Sequence, residues 1–246
     1  MSRMFGVYNA YRAAAVAVIA IIPTHSVSAA DFNYSDRPAL TWTGFSIGVH
    51  GGYGWADVDF PGAKPYPDGP PIPDIEGGFV GFQGAAMVEY NRFVLGLTAD
   101  ISFANMKDTV RDGNYLTETT KLDRFGTVRG VFGYSFGRFL PYATVGLGWA
   151  NGSYGGTCAD AGTVLFGGCR HAGPRSYNDS FTMTGIAWGA GVKYAIDDHW
   201  SVSAEYVRIS FDDESFTNGP LASWAAKQAK ISADYDSARV TVDYRF

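Results

Sequence analysis

The sequence predicts an all-β fold: eight antiparallel strands closed into a membrane-spanning barrel. Three observations predict it. First, the chain finishes in strict alternation, with Val240, Val242, Tyr244 and Phe246 on one face and Arg239, Thr241, Asp243 and Arg245 on the other. That is the two-residue period of a strand with one apolar face. Second, seven earlier segments alternate in the same way, each close to the roughly 9–11 residues that a tilted transmembrane strand needs. Third, the connections between segments are short and long by turns, which is the pattern of outer-membrane barrels, with short periplasmic turns and longer outside loops.

Residues 1–30 read as a secretory signal. Arg3 and Arg12 are the only charges, Ala13–Ile22 is apolar, Pro23 breaks the run, and Val27, Ser28, Ala29 and Ala30 are small enough for cleavage before Asp31. The run is too short for a membrane helix, which needs roughly 20 apolar residues. Residues 31–41 are expected to be a periplasmic segment, and 42–246 the barrel. Losing the signal takes the formal net charge from −5 to −7. That balance gives no basic face and argues against a nucleic-acid partner. With 31 Gly, 17 Phe, 15 Tyr and six Trp, the composition suits many strands and turns better than helices.

The first strand is expected over Thr43–Trp55, with Phe45, Ile47, Val49, Tyr53 and Trp55 outward. The second covers Gly78–Tyr90, with Val80, Phe82, Ala86, Val88 and Tyr90 outward. The third, Arg92–Phe103, turns Phe93, Leu95, Leu97, Ala99, Ile101 and Phe103 outward. The fourth, Phe125–Phe136, places Val128, Phe132 and Tyr134 outside and Thr127 and Arg129 inside. The fifth, Phe139–Trp149, and the sixth, Thr182–Tyr194, continue the pattern through Val145, Leu147, Ile186, Trp188 and Val192. The seventh, His199–Ile209, has Trp200, Val202, Ala204 and Tyr206 outward, and the eighth is Ala238–Phe246. Tight turns fall at Asn91-Arg92, Gly137-Arg138 and Ile196–His199. Long loops are expected over 56–77, 104–124, 150–181 and 210–237. Aromatics near the strand ends, among them Trp55, Tyr90, Trp149, Tyr194, Trp200 and Phe246, suit two interfacial girdles.

The inward face carries Glu89, Asp100, Glu205 and Asp243 against Arg129, Lys193, Arg239 and Arg245, four acids against four bases. Unpaired charge in a narrow lumen is costly, so a balanced set predicts a paired network. Asp100 with Arg129, and Lys193 with Glu205, lie on adjacent strands and are the expected cross-strand pairs. An eight-stranded barrel has an interior that side chains just fill, which favours a plugged lumen over an ion path.

Trp42-Thr43-Gly44-Phe45-Ser46-Ile47-Gly48-Val49 followed by Gly51-Gly52-Tyr53-Gly54-Trp55 resembles the opening strand of the small "porin family" of outer-membrane barrels. Phe125-Gly126-Thr127-Val128-Arg129-Gly130 and Arg138-Phe139-Leu140-Pro141-Tyr142 resemble its central hairpin, and Gly189–Tyr206 its third. Ser46 departs from the family, where an aromatic is common. The resemblance implies an OmpA-like fold in the Gram-negative outer membrane. It also implies contact with outer-membrane lipid and with the barrel-assembly machinery through the strand ending at Phe246. Relatives include surface antigens, structural proteins and hemin binders, so a host or hemin ligand at the loops is an alternative, as is a narrow pore for small solutes.

Cys158 and Cys169 have ten residues between them in the longest expected loop. In an oxidising compartment one disulfide stapling that loop is expected, adding about 3 kcal/mol. The alternative, a metal site with His171, lacks the usual four ligands and spacing. The acids Asp57, Asp59, Asp68, Asp74, Glu76, Asp212, Asp213 and Glu214 lack calcium-loop spacing. No nucleophile elbow, zinc-protease or phosphate-loop motif occurs. The expectation is therefore no catalytic residues, no metal and no cofactor. The expected role is structural and surface-exposed, contributing to envelope integrity.

Overall fold

A computed structural model describes residues 40–59, 75–112, 116–158, 175–212, 214–215 and 230–246. Eight long strands carry the fold: β1 (Gly44–Asp59), β2 (Ile75–Tyr90), β3 (Phe93–Asp112), β4 (Leu116–Tyr134), β5 (Phe139–Cys158), β6 (Arg175–Ala195), β7 (Trp200–Phe211) and β9 (Lys230–Arg245). A two-residue strand, β8 (Glu214–Ser215), pairs with the start of β9. Each long strand pairs antiparallel with the next in the chain, and β9 returns to pair with β1 from Ser46↔Arg245 to Asp59↔Ser232. The sheet is thereby closed and has no free edge, the only way a sheet can satisfy its backbone in lipid.

Alternation sets the two faces. Phe45, Val80, Leu95, Leu97, Val145 and Leu147 are outward and more than half exposed, while Asp100, Thr127, Arg129, Glu205, Arg239 and Asp243 on the inner face are buried. The apolar outside continues from Phe45 to Trp55 on β1. Ten residues of tilted strand give a band about 25 Å tall, the thickness expected of a membrane barrel.

The strands run well past that band on the long-loop side. Residues expected to be loop are ladder instead: β3 reaches Asp112, β4 starts at Leu116, β5 reaches Cys158 and β6 starts at Arg175. Above the lipid, the outward face no longer has to be apolar, so the pattern fades although the hydrogen-bonded ladder continues. A bulge also interrupts the β3–β4 register between Phe103 and Met106, beside a second irregularity at Leu122/Arg124 in the β4–β5 register.

The short turns hold the other rim. Asn91 and Arg92 have φ of 48° and 70°, the mirror-image turn that matches strand twist. Gly137 supplies a φ of 68° between β4 and β5. Before β7, the Trp200 and His199 backbone N–H groups donate to Asp197 Oδ1 at 2.7 and 2.8 Å and hold that carboxyl below its usual range.

Candidate functional site in the barrel lumen

Four inward side chains form a closed ring. Asp100 lies on β3, Arg129 on β4, Glu205 on β7 and Arg239 on β9. Arg129 Nη1 donates to Glu205 Oε1 at 2.7 Å and its Nη2 to Asp100 Oδ1 at 3.3 Å. Arg239 reaches the same two acids: Nη1 lies 3.1 Å from Asp100 Oδ1, and Nη2 donates to Glu205 Oε2 at 2.5 Å. Arg239 Nε adds a bond to the same oxygen at 2.8 Å. Every base therefore touches both acids. Strands β3 and β4 stand across the barrel from β7 and β9 in the closed order, so the ring joins opposite walls. Thr127 and Thr144 complete it: Arg129 Nε donates to Thr127 Oγ1 at 2.8 Å and Nη1 to Thr144 Oγ1 at 2.6 Å. Thr127 Oγ1 in turn donates to Asp100 at 2.5 Å. All four charged groups are buried.

A second group lies nearer the short-turn rim. Lys193 Nζ pairs with Asp243 Oδ2 at 2.8 Å, and Gln83 Nε2 donates to Asp243 Oδ1 at 2.6 Å. Gly48 makes room for it, since a Cβ there would strike the Asp243 carboxylate. The expected Lys193–Glu205 pair does not form. In the β6–β7 register Lys193 faces Ser203 while Glu205 faces Gly191, and Glu205 is already saturated by two guanidinium groups.

Glu89 and Arg245 stand apart from the network. Both hold Trp42 at the rim instead. The Trp42 backbone N–H donates to Glu89 Oε2 at 2.8 Å, and its indole N–H donates to the Gly137 carbonyl at 3.2 Å. The Arg245 guanidinium lies 5.4 Å from the Trp42 ring centre and donates to the Asp198 carbonyl at 2.8 Å. The six remaining charges, three acids and three bases, leave the buried network neutral.

Apolar side chains fill the lumen on both sides of these charges, which polarity alternation alone did not predict. On the long-loop side Ile75, Phe79, Met106, Leu122, Phe125 and Tyr235 are buried in one cluster with Val207 and Ile209. Phe125 packs edge-to-face against Phe79 and tilted against Tyr235, with ring centres 5.0 and 4.8 Å apart. His50 lies edge-on to Phe79 and bonds Ser102 Oγ through Nε2 at 2.9 Å. Gly54 leaves space for the Tyr235 phenol, where a Cβ would overlap the hydroxyl. On the short-turn side Trp42, Val94, Leu140 and Ala195 form a smaller cluster. The sequence signal was the run of inward aromatics at Phe79, Phe125 and Tyr235, each out of phase with its neighbours' outward residues.

Among the described residues no group of three His, Cys, Asp or Glu side chains is placed to hold a metal ion. Cys169 and His171 lie outside the described residues, and so does the proposed disulfide with Cys158. Asp68, Asp74, Asp213 and residues 1–39 lie outside them too.

A closed eight-stranded barrel with an apolar, aromatic-edged exterior and a charged interior is an integral protein of the Gram-negative outer membrane. The family model for the outer membrane protein beta-barrel domain matches residues 14–246, and the chain belongs to that family. It is 26% identical over 252 residues to the 31 kDa outer-membrane immunogenic protein of Brucella melitensis biotype 1, covering 94% of this chain and 98% of that one. The Brucella suis biovar 1 protein of the same description matches equally. Among solved structures, Ail of Yersinia pestis is 15% identical, with 83% of this chain and 99% of that one covered and a TM-score of 0.42. OprG of Pseudomonas aeruginosa is also 15% identical, over 83% of this chain and 96% of that one, with a TM-score of 0.41.

Proposed function

We propose that this chain, once residues 1–30 are removed, is a structural outer-membrane barrel with a closed lumen. In this role it contributes to envelope integrity and presents its long loops at the cell surface. The observation that carries this reading is the layered filling of the lumen. A neutral ion-pair ring spans it wall to wall, and packed apolar side chains lie on either side of that ring. An ion would have to break several charge-assisted bonds and displace packed aromatic rings to pass, and side chains fill a barrel of this size. The relatives described as immunogenic support surface exposure of the loops.

The test is single-channel recording after refolding the mature chain into a planar bilayer. The reading predicts a folded barrel without conductance steps. Reproducible steps that change on Glu205→Gln would mean that water and ions cross the lumen, and the protein would then be a narrow pore.

A further inference from the structure

The outward face just above the lipid band differs from one side of the barrel to the other. On β7 and β9, Arg208 is neutralised twice: Nη2 lies 2.6 Å from Asp234 Oδ2 and Nη1 3.4 Å from Asp236 Oδ2. Tyr206 adds a hydrogen bond to Asp236. Across the barrel, on β3 and β4, three cations are exposed: Lys107, Lys121 and Arg124. Lys107 and Lys121 are directly opposite in the register, and Arg124 pairs with Phe103. Phe103 is outward and exposed. It belongs with Trp149 to the long-loop aromatic girdle, so the three cations begin where the hydrocarbon ends.

Among the described residues the salt bridges include none of the three cations, although Asp123 lies beside Arg124 in the bulge. Two lysines directly opposite on one face repel each other and destabilise the ladder unless an anion lies between them. The bulge at Leu122/Arg124 brings Arg124 to the same exposed face as that pair. A cluster of this sign at headgroup depth attracts anionic lipid phosphate, by about 1 kcal/mol per cation near the surface. A guanidinium adds bidentate geometry for phosphate oxygens. The chain as a whole is acidic, so the patch runs against the net charge.

We propose that Lys107, Lys121 and Arg124 form a binding site for the phosphate groups of an anionic lipid in the leaflet on the long-loop side. The lipid's acyl chains lie down the apolar strip of Phe103, Ile101 and Leu97, and its phosphate bridges the two lysines. The site rests on the outward orientation of the ladder and not on the closed lumen, so either can fail without the other.

The experiment reconstitutes the full mature chain in phosphatidylcholine nanodiscs with bisphosphorylated lipid A, and measures the lipid retained by native mass spectrometry. The parent chain should retain bisphosphorylated lipid A in preference to its dephosphorylated form. Lys107→Gln, Lys121→Gln and Arg124→Gln should each weaken retention about fivefold. The charge-preserving Lys107→Arg/Lys121→Arg/Arg124→Lys chain should retain the lipid, and Arg208→Gln, an outward cation across the barrel already paired with Asp234 and Asp236, should not weaken it. Equal retention of phosphorylated and dephosphorylated lipid by the parent, or unchanged retention in the folded triple Gln variant, would overturn the site. Displacement of the lipid by millimolar inorganic phosphate would show a soluble-anion site and overturn the lipid assignment.

Discussion

The ring of Asp100, Arg129, Glu205 and Arg239 fills the barrel with charge, whereas the layer of Phe79, Phe125 and Tyr235 beside it fills the barrel with aromatic rings. The ring depends on every partner, because each acid is held by two bases and each base by two acids. Removing one member leaves buried charge without compensation. The aromatic layer depends on shape, and a shortened side chain there leaves a cavity that its neighbours partly close. The two layers close the same lumen, but the first is intolerant of single changes and the second is graded. That contrast orders the expected responses to mutation.

The largest effect is expected from Arg239→Ala, which leaves Asp100 and Glu205 facing each other with only Arg129 between them. The unfolding free energy in urea should fall by about 3–5 kcal/mol; a loss below 1 kcal/mol would show that the ring is water-filled and weak. Val242→Arg comes next. Val242 is outward and Asp243, the next residue, is buried in the lumen, so one strand carries both environments. If Val242 lies at the bilayer midplane, the substitution should cost about 2–4 kcal/mol, whereas unchanged insertion would reverse the assigned faces. Phe125→Leu, in the aromatic layer, should cost about 1–2 kcal/mol, read from the shift in denaturation midpoint. The smallest change should come from replacing the whole ring at once, with Asp100→Leu, Arg129→Met, Glu205→Leu and Arg239→Met. A fully apolar lumen should stay within about 2 kcal/mol of the parent. If the quadruple variant is as unstable as Arg239→Ala, the ring is required for the fold itself.

The lipid-facing surface was legible in the sequence, and the lumen only in outline. Phe45, Ile47, Val49, Val80, Phe82, Leu95 and Leu97 face outward because lipid demands an apolar group at every second position, a local rule that one strand reveals alone. The inward charges were legible for the same reason. Their partners were not, because pairing depends on which strands face each other across the barrel and on register. Lys193 meets Asp243 and not Glu205 because β6 and β7 are offset by two residues and Arg239 reaches Glu205 from β9. The apolar layer escaped notice because Phe79, Phe125 and Tyr235 come from strands far apart in the chain, and their contact is a matter of three-dimensional fit. The strand ends beyond Phe103 escaped for another reason: once outside the lipid, Lys107, Thr109, Thr119 and Lys121 keep the ladder without keeping the pattern.

The most direct test of the cross-lumen ring is a double-mutant cycle between Asp100 on β3 and Arg239 on β9, two strands that are not neighbours in the sheet. With Asp100→Asn and Arg239→Gln measured singly and together by reversible unfolding in lipid vesicles, a coupling of about 1–3 kcal/mol is expected. A coupling indistinguishable from zero would contradict the ring and leave the lumen charges as independent, solvated groups.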